Sequence, residues 1–380
     1  MDGLSRRNVL GGGAAFAGGL MAVATSAPLA AASTQPPFGP PRPPLAEKDL
    51  PSFRFALSKR PAVTFDGGWV NEAKVPEFPV SEKLAGALLE LEPGGLRELH
   101  WHASSGEWVY VLSGHCRISI LGPDDQAETS DFGPGDVSYF PRGYGHSLQG
   151  LGDGPCLALL AFDNGYFSEY GTFSIADWVA QTPPAVLARN FGVPESTFAG
   201  FPTGANFISQ GAVPPPLPAD PAPGSLSNGP LSYRYRLLAQ APETFPGGTI
   251  RIVSSRQFPV STTMTGALLQ IDPGAMQEMH WHPDAAEWQY YIKGTGRMTV
   301  YGSNGRSRTE EFSAGDVGYV PQSYGHYIEN TGDDDLEIMT VLNNGTYDSI
   351  TLTSWMAHNT PELLGTNFNV PASTFAGFSK

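Results

Sequence analysis

Gly86-Ala-Leu-Leu-Glu-Leu-Glu-Pro-Gly-Gly-Leu-Arg-Glu-Leu-His-Trp-His102 returns as Gly266-Ala-Leu-Leu-Gln-Ile-Asp-Pro-Gly-Ala-Met-Gln-Glu-Met-His-Trp-His282, displaced by 180 residues. The same displacement carries Gly114 to Gly294, Gly135-Asp136-Val137 to Gly315-Asp316-Val317, Pro141 to Pro321, and Tyr144-Gly145-His146 to Tyr324-Gly325-His326. A later block, Val193 to Phe201, returns at Val370 to Phe378 with a displacement of 177. Self-similarity on this scale means two copies of one folding unit.

Within each copy the pattern is all-β. Short runs such as Glu107-Trp-Val-Tyr-Val-Leu112 and Arg117-Ile-Ser-Ile-Leu121 are rich in β-branched and aromatic residues. Clusters such as Gly122-Pro-Asp-Asp125 and Gly133-Pro-Gly-Asp136 separate them as turns. Closely spaced short strands of this kind predict, in each copy, an all-β sandwich or barrel of the jelly-roll kind. Each barrel is followed by helical spacing, at Ile175, Trp178 and Val179 in the first copy and Leu352, Trp355 and Met356 in the second. These short helices are expected to cap the barrels or pack between subunits.

Composition narrows the class. With 41% hydrophobic residues, 16% charged, 45 Gly and 35 Pro in 380 residues, the chain has real cores and many turns. A formal charge of −15 excludes nucleic acid as a partner, since nothing neutralises a row of phosphates. A small anion would need a local positive centre against that field, and a bound divalent metal would supply one. At the N-terminus Arg6-Arg7 precedes an Ala/Gly-rich apolar stretch from Gly11 to Ala27, with Ala30-Ala31-Ala32 as a cleavage site. This resembles the twin-arginine signal that exports folded proteins, which predicts a periplasmic or extracellular protein and no membrane attachment after cleavage. The expected organisation is a signal over 1–32, a Pro-rich linker over 33–50, a first domain over 51–210, a second linker over 211–230 and a second domain over 231–380. Cys116 and Cys156 read as two buried thiols, too few for a disulfide framework.

Six of the eight histidines fall at matched places in the two copies. Residues i and i+2 of a strand share a face, so His100 and His102 project together. Glu107 opens the next strand, and His146 opens a third after the turn at Pro141 to Gly145. The ligand set is therefore His100, His102, Glu107 and His146, repeated as His280, His282, Glu287 and His326: two metals per chain. Four ligands of this type leave two adjacent positions open on a six-coordinate ion. That suits Mn²⁺ or Fe²⁺ better than structural zinc, which closes its tetrahedron.

These residues spell the two cupin motifs, from Gly94 through His100, His102 and Glu107 to Gly114, and from Gly135 through Pro141 and Gly143 to His146. The second copy repeats both, with Ser323 in place of a glycine; in the first, Gly150 stands where the motif carries Asn. From about Leu50 onward the chain resembles the bicupin oxalate decarboxylases, on Arg97-Glu-Leu-His-Trp-His102, on Phe162-Asp-Asn-Gly-Tyr-Phe-Ser-Glu-Tyr-Gly-Thr-Phe173, and on Asp177-Trp178 with Thr182-Pro183. The resemblance implies that Mn²⁺ and dioxygen convert oxalate to formate and carbon dioxide, and that the protein forms trimers or hexamers. It also implies that Arg97 holds the substrate and that Glu169 is the general acid on a lid loop. The lid departs from the family's Ser-Glu-Asn-Ser-Thr, carrying Tyr170-Gly171 instead of Asn-Ser. Strict alternation puts Arg97 on the face opposite His100, so an irregularity near Gly94-Gly95 is expected to turn it inward. In the second copy Gln277 takes the place of Arg97, and Thr340 stands where the family often has a glutamate. The second site is therefore expected to bind metal and contribute little turnover. The competing readings are an oxalate oxidase yielding carbon dioxide and hydrogen peroxide, a bicupin acting on another small acid or a sugar, and a ligand-binding bicupin without catalysis.

Overall fold

The computed structural model describes residues 20–22, 49–168, 171–217 and 231–378. The signal reading of 1–32 and most of the two linker readings lie outside them. Leu20–Ala22 are the exception, forming a short strand antiparallel to Ala275–Gln277. No helix among the described residues is long and apolar enough to cross a membrane.

Each copy folds into two facing antiparallel sheets, as the alternating runs predict. In the first, one sheet orders the strands Arg234–Arg236, Asp136–Phe140, Glu107–Ser113, Cys156–Phe162, Ala85–Leu91, Gly68–Ala73 and Val63–Phe65. The facing sheet carries Thr172–Ser174, Gly95–His102, Gly145–Leu151, His115–Leu121 and Ala127–Phe132, with Ile208–Gln210 paired to Gly95–His102. The second copy repeats both sheets. Its equivalent of Gly95–His102 is split into Ala275–Gln277 and His280–Trp281.

The copies exchange their first strands. Arg234–Arg236, at the head of the second copy, pairs with Asp136–Phe140 of the first barrel. Reciprocally, Arg54–Phe55 pairs with Val317–Val320 of the second. Each exchanged strand brings an arginine to the acidic residue of the Gly-Asp turn: Arg54 donates to Asp316 at 2.9 and 2.7 Å, and Arg234 to Asp136 at 3.1 Å through Nε. The barrels also share a core. Trp108 and Trp288 are fully buried. A Cβ at Gly86 would lie 2.3 Å from the Trp288 ring, and one at Gly266 would lie 2.3 Å from that of Trp108. Each copy keeps glycine there because the other copy's indole occupies the space.

Short helices follow each barrel at Ile175–Ala180 and Leu352–Ala357, capped by Ser174 and Thr351. They bury none of their residues, and Trp178 and Trp355 stand 67% and 59% exposed. They therefore do not plug the barrels. Cys116 and Cys156 are both buried, and the Cys156 side chain together with burial pushes the Cys116 thiol well above the usual range.

Candidate metal and substrate site

Four donor atoms converge in each barrel. His100, His102, Glu107 and His146 offer ligand atoms that all lie within 4.8 Å of one another, and so do His280, His282, Glu287 and His326. All eight residues are buried. The strands place them as the spacing predicts: His100 and His102 on Gly95–His102, Glu107 at the start of its strand, and His146 opposite His100 on Gly145–Leu151. Ser323, in place of the motif's glycine, takes the left-handed conformation at φ 66°, near the 78° of Gly143. That turn is kept without a glycine.

Hydrogen bonding fixes how the imidazoles face. His100 Nδ1 donates to Glu98 O at 2.7 Å, and His146 Nδ1 to Tyr144 O at 3.0 Å. His280, His282 and His326 donate to Glu278 O, Asp348 O and Tyr324 O at 2.7, 2.7 and 3.2 Å. His102 Nδ1 is paired with Thr172 Oγ1 at 3.0 Å. A protonated Nδ1 leaves the Nε2 lone pair free to coordinate. Nε2 of His102, His280 and His282 is buried without a hydrogen-bond partner among the described residues. His102 Nε2 lies 3.0 Å from Glu107 Oε2 but is not aligned for a hydrogen bond. Orphaned inward lone pairs around one carboxylate are what a cation would satisfy, and bonds of about 2.0–2.2 Å span nearly the observed spread. The residues fit a metal ion in both barrels. Burial holds His100 and His280 well below the usual histidine range, each helped by the neighbouring imidazoles, so both stay neutral and available. Burial pushes Glu107 upward, but the neighbouring imidazoles of His146 and His102 outweigh it, leaving the carboxyl at about 2.

Arg97 is turned inward, but not where expected. The pairing with Gly145–Leu151 shifts register between His146–His100 and Leu148–Arg97, so the extra residue falls at Glu98-Leu99 and not near Gly94-Gly95. This β-bulge restores Arg97 to the face of His100 and His102, and the burial pattern along the strand follows suit. Arg97 is 5% exposed, and its guanidinium lies 3.6 Å from the centre of the Phe207 ring. It donates to Phe207 O at 3.3 Å and Glu98 Oε1 at 3.4 Å. Burial lowers it to about 10, with Glu107, Glu98 and Glu72 opposing, so it remains charged at neutral pH. Arg97, His100, His102 and Glu107 share a cavity of about 40 Å³, closed by Phe162, Phe167 and Ser168. That is space on the scale of a few waters, which favours a very small ligand over a sugar.

Glu169 and Tyr170 lie outside the described residues. Their neighbours are placed: Phe167 stacks on Phe162 with 3.6 Å between ring centres, and Gly171 accepts from Ala103 N at 2.7 Å. A Cβ on Gly171 would lie 2.2 Å from Ser104 Oγ, so this glycine is a tight anchor and not a free hinge.

The second site differs beyond its ligands. Gln277 is buried at the register of Arg97, with Oε1 unpartnered among the described residues. Gln289 donates to Glu287 Oε1 at 2.8 Å and accepts from Tyr291 at 3.2 Å, where the first barrel has Val109 and Val111. The segment between Gly345 and Ile350 has four residues, against seven between Gly165 and Phe173. The register confirms the equivalence: Phe173 pairs with Trp101 and Ile350 with Trp281. The fall in displacement from 180 to 177 is thus the loss of the stretch that carries Glu169. The signal lay in the self-alignment, as did Gln289 and Tyr291. Phe207 and Glu98, which support Arg97, left no comparable mark.

Comparison with known proteins agrees with this geometry. The cupin family model matches residues 55–198 and 235–374. The chain is 43% identical over 291 residues to oxalate decarboxylase OxdC of Bacillus subtilis, covering 77% of this chain and 75% of that one. It is 38% identical over 336 residues to a probable oxalate decarboxylase of Arthroderma benhamiae, covering 87% and 82%. A solved structure concerned with the Mn(II) centres of B. subtilis oxalate decarboxylase superposes with a TM-score of 0.81 at 39% identity, over 88% of this chain and 89% of that one.

Proposed function

Because the chain belongs to the bicupin oxalate decarboxylase family, we propose that its first barrel is a carboxy-lyase that turns oxalate and one proton into formate and carbon dioxide. The observation that supports this most is Arg97, a buried cation sharing a small cavity with the imidazoles of His100 and His102 and the Glu107 carboxylate. A divalent ion on that ligand set leaves a formal surplus of one positive charge, and Arg97 adds a second. A dianion then finds a seat of matching charge inside a chain of −15.

Oxalate resists cleavage because departing carbon dioxide leaves negative charge on carbon. Mn²⁺, the metal we assign by likeness to the B. subtilis enzyme, would supply with dioxygen a Lewis-acid seat and reversible one-electron chemistry. Arg97 holds the free carboxylate and spreads its charge, in a pocket where Leu148, Leu160, Phe162 and Phe167 exclude water. Glu169, next to Ser168 of the cavity wall, protonates the carbon as carbon dioxide leaves. Without that proton the bound fragment is open to further oxidation, which would give two carbon dioxide and hydrogen peroxide. The second barrel, with Gln277 and no counterpart of Glu169, binds metal and contributes little turnover. Export through the Arg6-Arg7 signal and assembly into trimers or hexamers belong to the same proposal; cell fractionation and sedimentation test them.

The deciding experiment measures formate and peroxide from oxalate with the Mn²⁺-loaded protein. Formate in large excess is expected. Peroxide without formate makes the protein an oxidase, and no turnover with both sites filled removes oxalate from the account.

A further inference from the structure

Lys74 stands outside the ligand set and outside the motifs. Its ammonium donates to Ser168 Oγ at 2.7 Å and is anchored from the other side by Glu72, 3.1 Å away. Glu72 and Ser168 both line the Arg97 cavity. Ser168 immediately precedes Glu169. The two ends of this segment are secured through backbone: Val75 N donates to Gly165 O at 3.0 Å, Gly165 N to Glu82 O at 3.0 Å, and Ala103 N to Gly171 O at 2.7 Å. Between those ends, Lys74 holds Ser168 through side chains.

The second barrel supplies the control. It keeps the backbone anchor, Ser255 N to Gly345 O at 2.8 Å. At the positions of Glu72 and Lys74 it has Ile252 and Ser254, and its segment is three residues shorter. The charged pair is present in the copy that has the longer segment and absent from the copy that lacks it. A structural role common to both barrels would not follow that division.

We infer that Lys74 is a positioning residue for the first site: braced by Glu72, it fixes Ser168 in the wall of the Arg97 cavity. The inference rests on the proposed function for its catalytic meaning, while the contact itself does not depend on the substrate. A hydrogen bond from a charged donor that is partly shielded from water biases a local equilibrium by roughly tenfold or more.

Hydrogen exchange on the substrate-free, Mn²⁺-loaded full chain tests the contact directly. In Lys74→Met, the amides of Phe167, Ser168 and Gly171 should exchange about tenfold faster, with those of Ala85–Leu91 and the metal content unchanged. Lys74→Arg should restore slow exchange, because a guanidinium also reaches both partners. Ser168→Ala removes the acceptor without touching the lysine and should reproduce Lys74→Met. The double variant should be no faster than either single one. On oxalate, Lys74→Met should raise the peroxide share while leaving KM nearly unchanged. Unchanged exchange in both Lys74→Met and Ser168→Ala overturns the inference and leaves the proposed function standing. Faster exchange in a protein whose wild type does not turn over oxalate sinks the function and keeps the contact.

Discussion

In the first barrel the buried guanidinium of Arg97 faces the ligand cluster; in the second, Gln277 sits at the same register with its side-chain oxygen unpartnered among the described residues. Around the first cluster the strand offers Val109 and Val111, and around the second a Tyr291–Gln289–Glu287 chain of hydrogen bonds. The first barrel has a seven-residue segment carrying Glu169 and the second a four-residue segment without it. Yet the ligands, the bulge after the Arg97 or Gln277 position and the reciprocal Trp108 and Trp288 contacts are common to both. Duplication kept the frame and the cation seat. What separates the sites is what surrounds the ligands: a guanidinium or an amide at the Arg97 register, and a longer or shorter segment before Phe173 or Ile350.

The largest effect should come from removing the acid. Glu169→Gln is expected to lower formate production by about 10²–10⁴-fold, with metal content intact and peroxide as the remaining product. Unchanged formate would mean that the two segments differ for some reason other than proton supply. Next is Arg97→Gln, which copies the second barrel into the first. Loss of one preorganised donor should lower kcat by about 10²–10³-fold while the first site still takes up metal. A loss of metal instead would make Arg97 a structural residue.

Smaller effects sharpen the symmetric half of the comparison. Gly86→Ala and Gly266→Ala each press a methyl group onto the other barrel's indole, and each should destabilise the chain by about 1–3 kcal/mol in chemical denaturation. A large difference between the two would show that the shared core is less reciprocal than the contacts indicate. The smallest effect belongs to Gln277→Arg, which restores the cation to the second barrel without the acid. Formate turnover should not rise; a rise would place a proton donor there that the short segment does not account for.

Much of this was legible in the residues. The ligand set was readable because strand geometry is local: His100 and His102 share a face through their spacing alone, and a second copy at the same spacing removes coincidence. The expectation for Arg97 was right in outcome and wrong in place. A bulge at Glu98-Leu99 is a property of the pairing with Gly145–Leu151, and nothing within Arg97 to His102 announces it. The exchanged strands were illegible for a related reason. Arg54 meets Asp316 across 262 residues of chain, and no periodicity near Arg54 records such a partner. Phe207 shows the same limit, since the ring under Arg97 comes from beyond the helices of its own copy. By contrast, Gln289, Tyr291 and the shortened segment were visible on aligning the copies. They are polar residues at inward strand positions and a three-residue change in displacement.

The division of labour between the barrels is tested most directly by the His280→Ala/His282→Ala double variant, assayed for formate after loading with Mn²⁺. The account predicts a folded chain that binds one metal instead of two and forms formate at the wild-type rate per first-barrel metal. A folded chain with its first barrel fully loaded and no formate from oxalate would contradict it.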